Sequence, residues 1–152
     1  ALSLLSNATQ DEHDVLSAIP FQMNDVVLHT DEKLMPKRKL AWAAWNYHIP
    51  QRHTEHAMVT YNMNILQNFD DAPETILVTL NRNQEIDPTK VIKKYRYAHP
   101  VFTLDGMVAQ SRHSDISNQN RTHYCGAYWL NGFHEDGVNS ALKVCADFGV
   151  EL

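Results

Sequence analysis

Two rhythms of apolar and polar residues run through the chain. Val15, Leu16 and Ile19 fall at helical spacing behind Thr9-Gln10-Asp11-Glu12, a capping-box sequence, and Pro20 ends the run, which predicts a helix. Leu2, Leu4 and Leu5 make a short apolar segment ahead of it. Beyond Pro20 the rhythm changes to alternation, and residues 21–30, 40–48, 57–64, 75–81 and 91–98 read as strands. Residues 40–48 carry Trp42, Trp45 and Tyr47. In 57–64, Ala57, Val59, Tyr61 and Met63 alternate with polar partners, which predicts a strand with one covered, apolar face. Residues 75–81 are apolar enough for a central strand. In 91–98, Lys93, Lys94 and Arg96 interleave with Tyr95 and Tyr97, as suits an edge. The connections are a polar, Pro-containing stretch at 31–39, a helical turn at 65–69, the turn Asp87-Pro88, a helix at 104–112 and a polar turn at 117–121.

The last stretch has its own pattern. Residues 122–125 read as a short strand broken at Gly126, followed by a loop containing Gly132 and then a helix. Asp136 is the expected N-cap; Val138, Ala141, Leu142, Cys145 and Phe148 mark the expected buried face, and Gly149 follows the end. Short connections between successive strands favour an antiparallel or mixed sheet with helices packed on one side, an α+β domain.

Composition narrows the class. The 152 residues are 43% hydrophobic and 20% charged, enough for one domain with a core and ordinary for a globular chain. A formal net charge of -5 argues against a nucleic-acid surface, and the basic run at 36–39 reads as a solvated turn. Neither a signal peptide nor an apolar run of about 20 residues for a transmembrane segment is expected. Cys125 and Cys145 read as reduced, structural thiols of a cytoplasmic protein. His48, His53, Glu55 and His56 offer an H-x-x-H pair outside any HExxH helix, and are read as solvated rather than as metal ligands.

A strand, a glycine-bearing loop and a helix start have a chemical use. The first helical turn presents unpaired N–H groups and the positive dipole end. Gly137 would leave that turn open to a flat ligand, as Gly126 would at the strand end. Glu135 and Asp136 would repel a phosphate, so a ring carbonyl is the better guest. On spacing alone an ordinary strand–loop–helix with an Asp cap is the favoured reading of the segment, and His134-Glu135-Asp136 serves either as acid–base equipment or as a helix start.

These residues carry a resemblance. Tyr124-Cys125-Gly126-Ala127 followed by Gly132-Phe133-His134-Glu135-Asp136-Gly137-Val138 resembles the C-terminal flavin-contacting segment of the flavin-dependent amine oxidase and desaturase superfamily. Its bacterial branch of predicted NAD/FAD-binding, amine-oxidase-like proteins carries strings similar to VLHTD (27–31), AWAAWNYHIP (41–50), VTYNMNILQN (59–68) and HPVF (99–102). The likeness runs from about residue 19 to 149 in the expected order. Ala127 stands where the superfamily has Glu, one extra residue lies between Phe133 and Gly137, and the G-x-G-x-x-G fingerprint is absent from the chain.

The resemblance implies a C-terminal portion of an FAD-dependent oxidoreductase that removes a hydride from an amine or lipid-like substrate. It implies a substrate-domain-like part at 1–118 and a flavin-contacting strand–loop–helix at 119–152, within a single domain or fragment. Gly126, Ala127, Tyr128, His134, Glu135, Asp136, Gly137 and Val138 are the implied FAD contacts, and Phe133, Trp129, Tyr61 and Trp45 the implied substrate wall. The implied partner is an N-terminal FAD-binding half of the same polypeptide, without which the chain would bind FAD weakly and be inactive. A binding module that keeps the fold and self-associates through exposed apolar surface is the other expectation.

Overall fold

The computed structural model describes residues 1–51, 54, 56–69 and 71–150. It forms two compact units, Met23–Ala98 and the pair of segments Ala1–Gln22 and His99–Leu152. Among the described residues there are five α-helices and one five-stranded sheet, so the chain is α+β.

The sheet has the order β2-β3-β4-β1-β5, built from β1 (Phe21–His29), β2 (Trp45–His48), β3 (Met58–Asn62), β4 (Leu77–Leu80) and β5 (Val91–Pro100). Its pairings are antiparallel, with Val27 opposite Thr79, Thr60 opposite Thr79 and Trp45 opposite Tyr61. The Thr30 N–H donates to the Lys90 carbonyl at 3.1 Å, tying the end of β1 to the start of β5. As its basic, aromatic pattern suggested, β5 is an edge strand.

On β3 the covered face is the reverse of the expected one. Register puts His29, Leu77, Thr79, Thr60 and Asn62 on one face, and all are buried. Val59 and Tyr61, the apolar set of β3, lie on the other face and are only half-buried. Polar residues can be buried here because they satisfy one another. The Asp31 N–H donates to His29 Nδ1 at 3.0 Å, so His29 Nε2 carries the hydrogen and donates to Thr79 Oγ1 at 2.7 Å. Thr79 and Thr60 hydroxyls then meet at 2.9 Å. Val27, Leu34 and Ile86, with Val91, form the apolar core of this unit.

Three predicted strands, β2, β3 and β4, are shorter than the sequence pattern suggested, and local bonds account for the first two. Residues 39–41 form a 3-10 turn instead of the start of β2, because Trp42 Nε1 is held by the Pro36 carbonyl at 2.8 Å and the Asn46 amide closes a loop onto Ala43. β3 stops at Asn62, whose side chain accepts the Ile65 N–H at 3.2 Å and caps α2 (Met63–Gln67).

The other unit is helical. α1 (Gln10–Ser17) starts at the expected capping box, with Glu12 N–H on Thr9 Oγ1 at 3.2 Å and Thr9 N–H on Glu12 Oε2 at 2.8 Å. α3 (Leu104–Ser111), capped by Thr103, runs into α4 (His113–Ile116), and α5 spans His134–Asp147. Val15, Leu16, Ile19, Ala109, Ile116, Tyr124 and Trp129 form its core. Among the described residues no helix is long and apolar enough to cross a membrane.

Candidate functional site

The predicted strand at 122–125 is not formed. Only an isolated bridge joins Gln119 to Thr122, after left-handed turns at Asn118, Asn120 and Arg121. Side chains, not a ladder, hold the segment in place. Tyr124 Oη donates to Glu12 Oε1 at 2.6 Å, Tyr124 N–H reaches Ser117 Oγ at 3.3 Å, and its carbonyl accepts from His113 Nε2 at 2.7 Å. The Tyr124 bond, followed by the Thr9 N–H, holds the Glu12 carboxyl below the usual carboxylate range. Burial, then the Glu12 contact, pushes the Tyr124 hydroxyl well up.

At Gly126 the backbone turns with φ 151°, where a Cβ would strike the Tyr128 ring. Its N–H donates to Ser140 Oγ at 2.8 Å, joining the 3-10 turn Ala127–Trp129 to α5. The Ala127 carbonyl accepts from both Leu130 and Gly132 N–H at 3.1 Å. Gly132, at φ 91°, packs against Phe102.

Asp136 is not the N-cap. Phe133 occupies that position, and Asp136, at the third helical residue, reaches back to accept the Phe133 N–H at 2.9 Å and the Asn131 N–H at 3.2 Å. The helix begins three residues earlier than expected because this back-bond serves as the terminal acceptor. A Cβ at Gly137 would lie 3.8 Å from Ala127 Cβ, so that side of the helix faces the 127–129 turn at ordinary contact distance. His134, Glu135 and Val138 are exposed around the first turn.

The expected buried face of α5 is largely open. Val138, Ala141 and Phe148 are exposed, Leu142 and Cys145 are half-buried, and Ser140 is the buried residue of the helix. α5 is fastened by the Ser140–Gly126 bond and the Gly137–Ala127 contact, which leave its larger apolar side chains outside the core. Both cysteines are free thiols, and Cys125 is exposed rather than on a covered face.

The expected wall residues divide between the units. Trp45 and Tyr61 are opposite each other on β2 and β3, ring centroids 5.1 Å apart and edge-on, on the half-exposed sheet face. Burial raises the Tyr61 hydroxyl above its ordinary range. Phe133 is exposed at the start of α5, whereas Trp129 is in the helical core rather than on an open wall, edge-on to His113 at 4.7 Å. Tyr128 meets Phe21 edge-on and Trp129 at a tilt, and its hydroxyl is pushed up by burial and by Cys125.

Alternation did not reveal a polar cavity of about 420 Å³ in the sheet unit, lined in part by Met23, Asp25, Asn81, Arg82, Glu85 and Arg96. Arg82 grips Glu85 with two bonds of 2.9 and 2.6 Å, and Asn81, at φ 58°, bonds both Asn24 and Ala57. These bonds make it a braced turn. The run Asn81-Arg82-Asn83 was its sequence signal.

Of the histidine cluster, His53 and Glu55 lie outside the described residues; among the described ones no group of three or more His, Cys, Asp or Glu is placed to hold a metal. Compared with protein-family models and with curated proteins, the chain matches none.

Proposed function

We propose that this chain supplies a substrate wall and a ring-edge contact of an FAD-dependent oxidoreductase of the amine-oxidase and desaturase type. The observation that carries the reading is the sheet. Its polar face is buried and self-satisfied, while Trp45, Tyr47 and Tyr61 stand on the opposite, partly open face. A rigid apolar sheet face of this kind suits a lipid-like or aliphatic amine substrate.

At the start of α5, the N–H groups of His134, Glu135 and Asp136 precede the first intrahelical bond, from Gly137 to the Phe133 carbonyl at 3.2 Å. They fit the electron-rich carbonyl edge of a flavin ring, and the helix dipole favours negative charge there. The fit covers the ring edge alone, because the chain has no glycine fingerprint to cradle the pyrophosphate. That half of the site comes from outside these residues in this reading. Bound flavin supplies hydride acceptance; the chain orients, covers and excludes water. A cytoplasmic setting belongs to the same reading.

The test is a titration of the isotopically labelled chain with FAD, followed by amide shifts. Weak, saturable shifts centred on 126–138, without catalysis, are expected. Shifts confined elsewhere, or a stoichiometric yellow complex of the chain alone, would sink the proposal.

A second reading has an observation of its own. Leu104, Met107 and Val108 are exposed together on α3, as are Val138 on α5 and Phe148 at its C-cap. A non-catalytic module that self-associates through such surfaces would show a concentration-dependent mass in light scattering. A constant monomer mass would remove it.

A further inference from the structure

Within the helical unit a cavity of about 200 Å³ opens beside α5. At roughly 30 Å³ for each water-sized group, it holds about six or seven of them. Trp129 and Leu130 give it an apolar wall, and Gln110, His113, Ser140 and Lys143 bring polar atoms to its rim.

Those polar atoms are already oriented. Gln110 Nε2 donates to the carbonyls of Tyr128 and Leu130 at 2.9 and 2.8 Å, bracing the turn that carries Trp129. Ser140 Oγ accepts the Gly126 N–H and keeps its own hydrogen to give. His113 is only 9% exposed. Its Nε2 lies against the Tyr124 carbonyl oxygen, which can only accept, so Nε2 bears the hydrogen and Nδ1 presents a lone pair. Lys143 Nζ sits 3.4 Å from that Nδ1.

Lys143 is therefore steered to the cavity rim by a lone pair and not by a carboxylate. Among the described residues no acidic side chain lies within ion-pair distance of it. An ammonium with donors to spare, beside an apolar cavity, is complementary to a single negative charge. One cation suits a monoanion better than a phosphate dianion. The geometry points to a binding site for small free carboxylic acids, the carboxylate on Lys143 and Ser140 and a short aliphatic tail on Trp129 and Leu130. This site stands apart from the flavin reading.

The test is an amide-shift titration of the full chain with butyrate at neutral pH, with 1-butanol and butylamine as matched uncharged and cationic probes. Saturable millimolar binding of butyrate, with shifts at 128–130 and 139–143, is expected. Lys143→Met keeps the stem on an exposed helical position and should weaken binding about tenfold or more, while Lys143→Arg retains most of it. Butyrate should bind at least as well as N-acetyl-leucine, which carries the carboxylate of a chain end. Equal binding of 1-butanol, an unchanged Lys143→Met, a preference for N-acetyl-leucine, or no saturable shift would each overturn the assignment.

Discussion

His29 sets how the sheet unit responds to acid. Burial lowers its pKa from 6.5 to about 4, and Asp31 only partly offsets this. The folded state therefore resists a proton that the unfolded chain takes up as pH falls through 6.5. Stability is fully present above that pH and is lost progressively down to about 4, a total of about 3 kcal/mol at about 1.4 kcal/mol per unit. Carboxylates contribute in a different window. At Asp31, burial pushes up, but the Asp87 and Lys33 N–H groups and the Lys33 and Lys90 ammonium groups outweigh it and hold the carboxyl low. Its stabilisation is lost only in stronger acid. Urea midpoints measured across this range should fall from neutral pH to 4.5 in the wild type and stay nearly flat in His29→Gln. A flat wild-type profile would refute the buried neutral imidazole. In the helical unit, Tyr124→Phe removes the phenol donor from the buried Glu12 carboxylate and leaves those of Thr9. It should cost about 1–3 kcal/mol of unfolding free energy, and a change under about 0.5 kcal/mol would mean water replaces the hydroxyl.

At the scale of elements, two glycines that look alike in sequence behave differently. Gly126 has a backbone conformation side chains rarely adopt, and a methyl there meets the Tyr128 ring. Gly126→Ala should lose about 1–3 kcal/mol. Gly137 is helical with room for a methyl against Ala127, so Gly137→Ala should be neutral or up to about 1 kcal/mol stabilising. Thermal unfolding of the two variants checks the pair, and equal losses would contradict the geometry. The same elements show what was legible. The box of Thr9 and Glu12, the edge position of β5 and the helix after Thr103 could be read because capping and alternation are local. The true cap of α5 was missed because Asp136 serves equally as cap or as back-bonding third residue, and only the chain direction at Phe133 decides. The 122–125 segment resembled a strand by composition, but its partners, Glu12, His113 and Ser117, are distant or non-β groups. The buried side of β3 was inverted because Thr60 finds its partner, Thr79, on a neighbouring strand that spacing within one strand cannot reveal, while Asn62 is buried as the cap of α2.

At the scale of the whole molecule, charge and exposed apolar surface oppose each other. The chain carries a net charge of -5 at pH 7 and a pI near 5.9, so its self-repulsion fades as pH falls towards 6. Leu104, Met107 and Val108 on α3, Val138 on α5 and Phe148 at its C-cap remain exposed throughout. The self-association reading rests on that surface, whereas the flavin reading rests on the sheet face and the start of α5. They part on what repulsion does. Self-association should strengthen as pH is lowered from 8 to 6 or as salt screens the charge, because like-charged copies are then brought together more cheaply. Light scattering across that range, on wild type and on Met107→Lys with Val108→Glu, should show mass rising only in the wild type. A wild-type monomer at every pH and salt concentration would leave the apolar face to a different protein segment and favour the flavoenzyme reading. Association that persists in the double variant would place the contact away from α3.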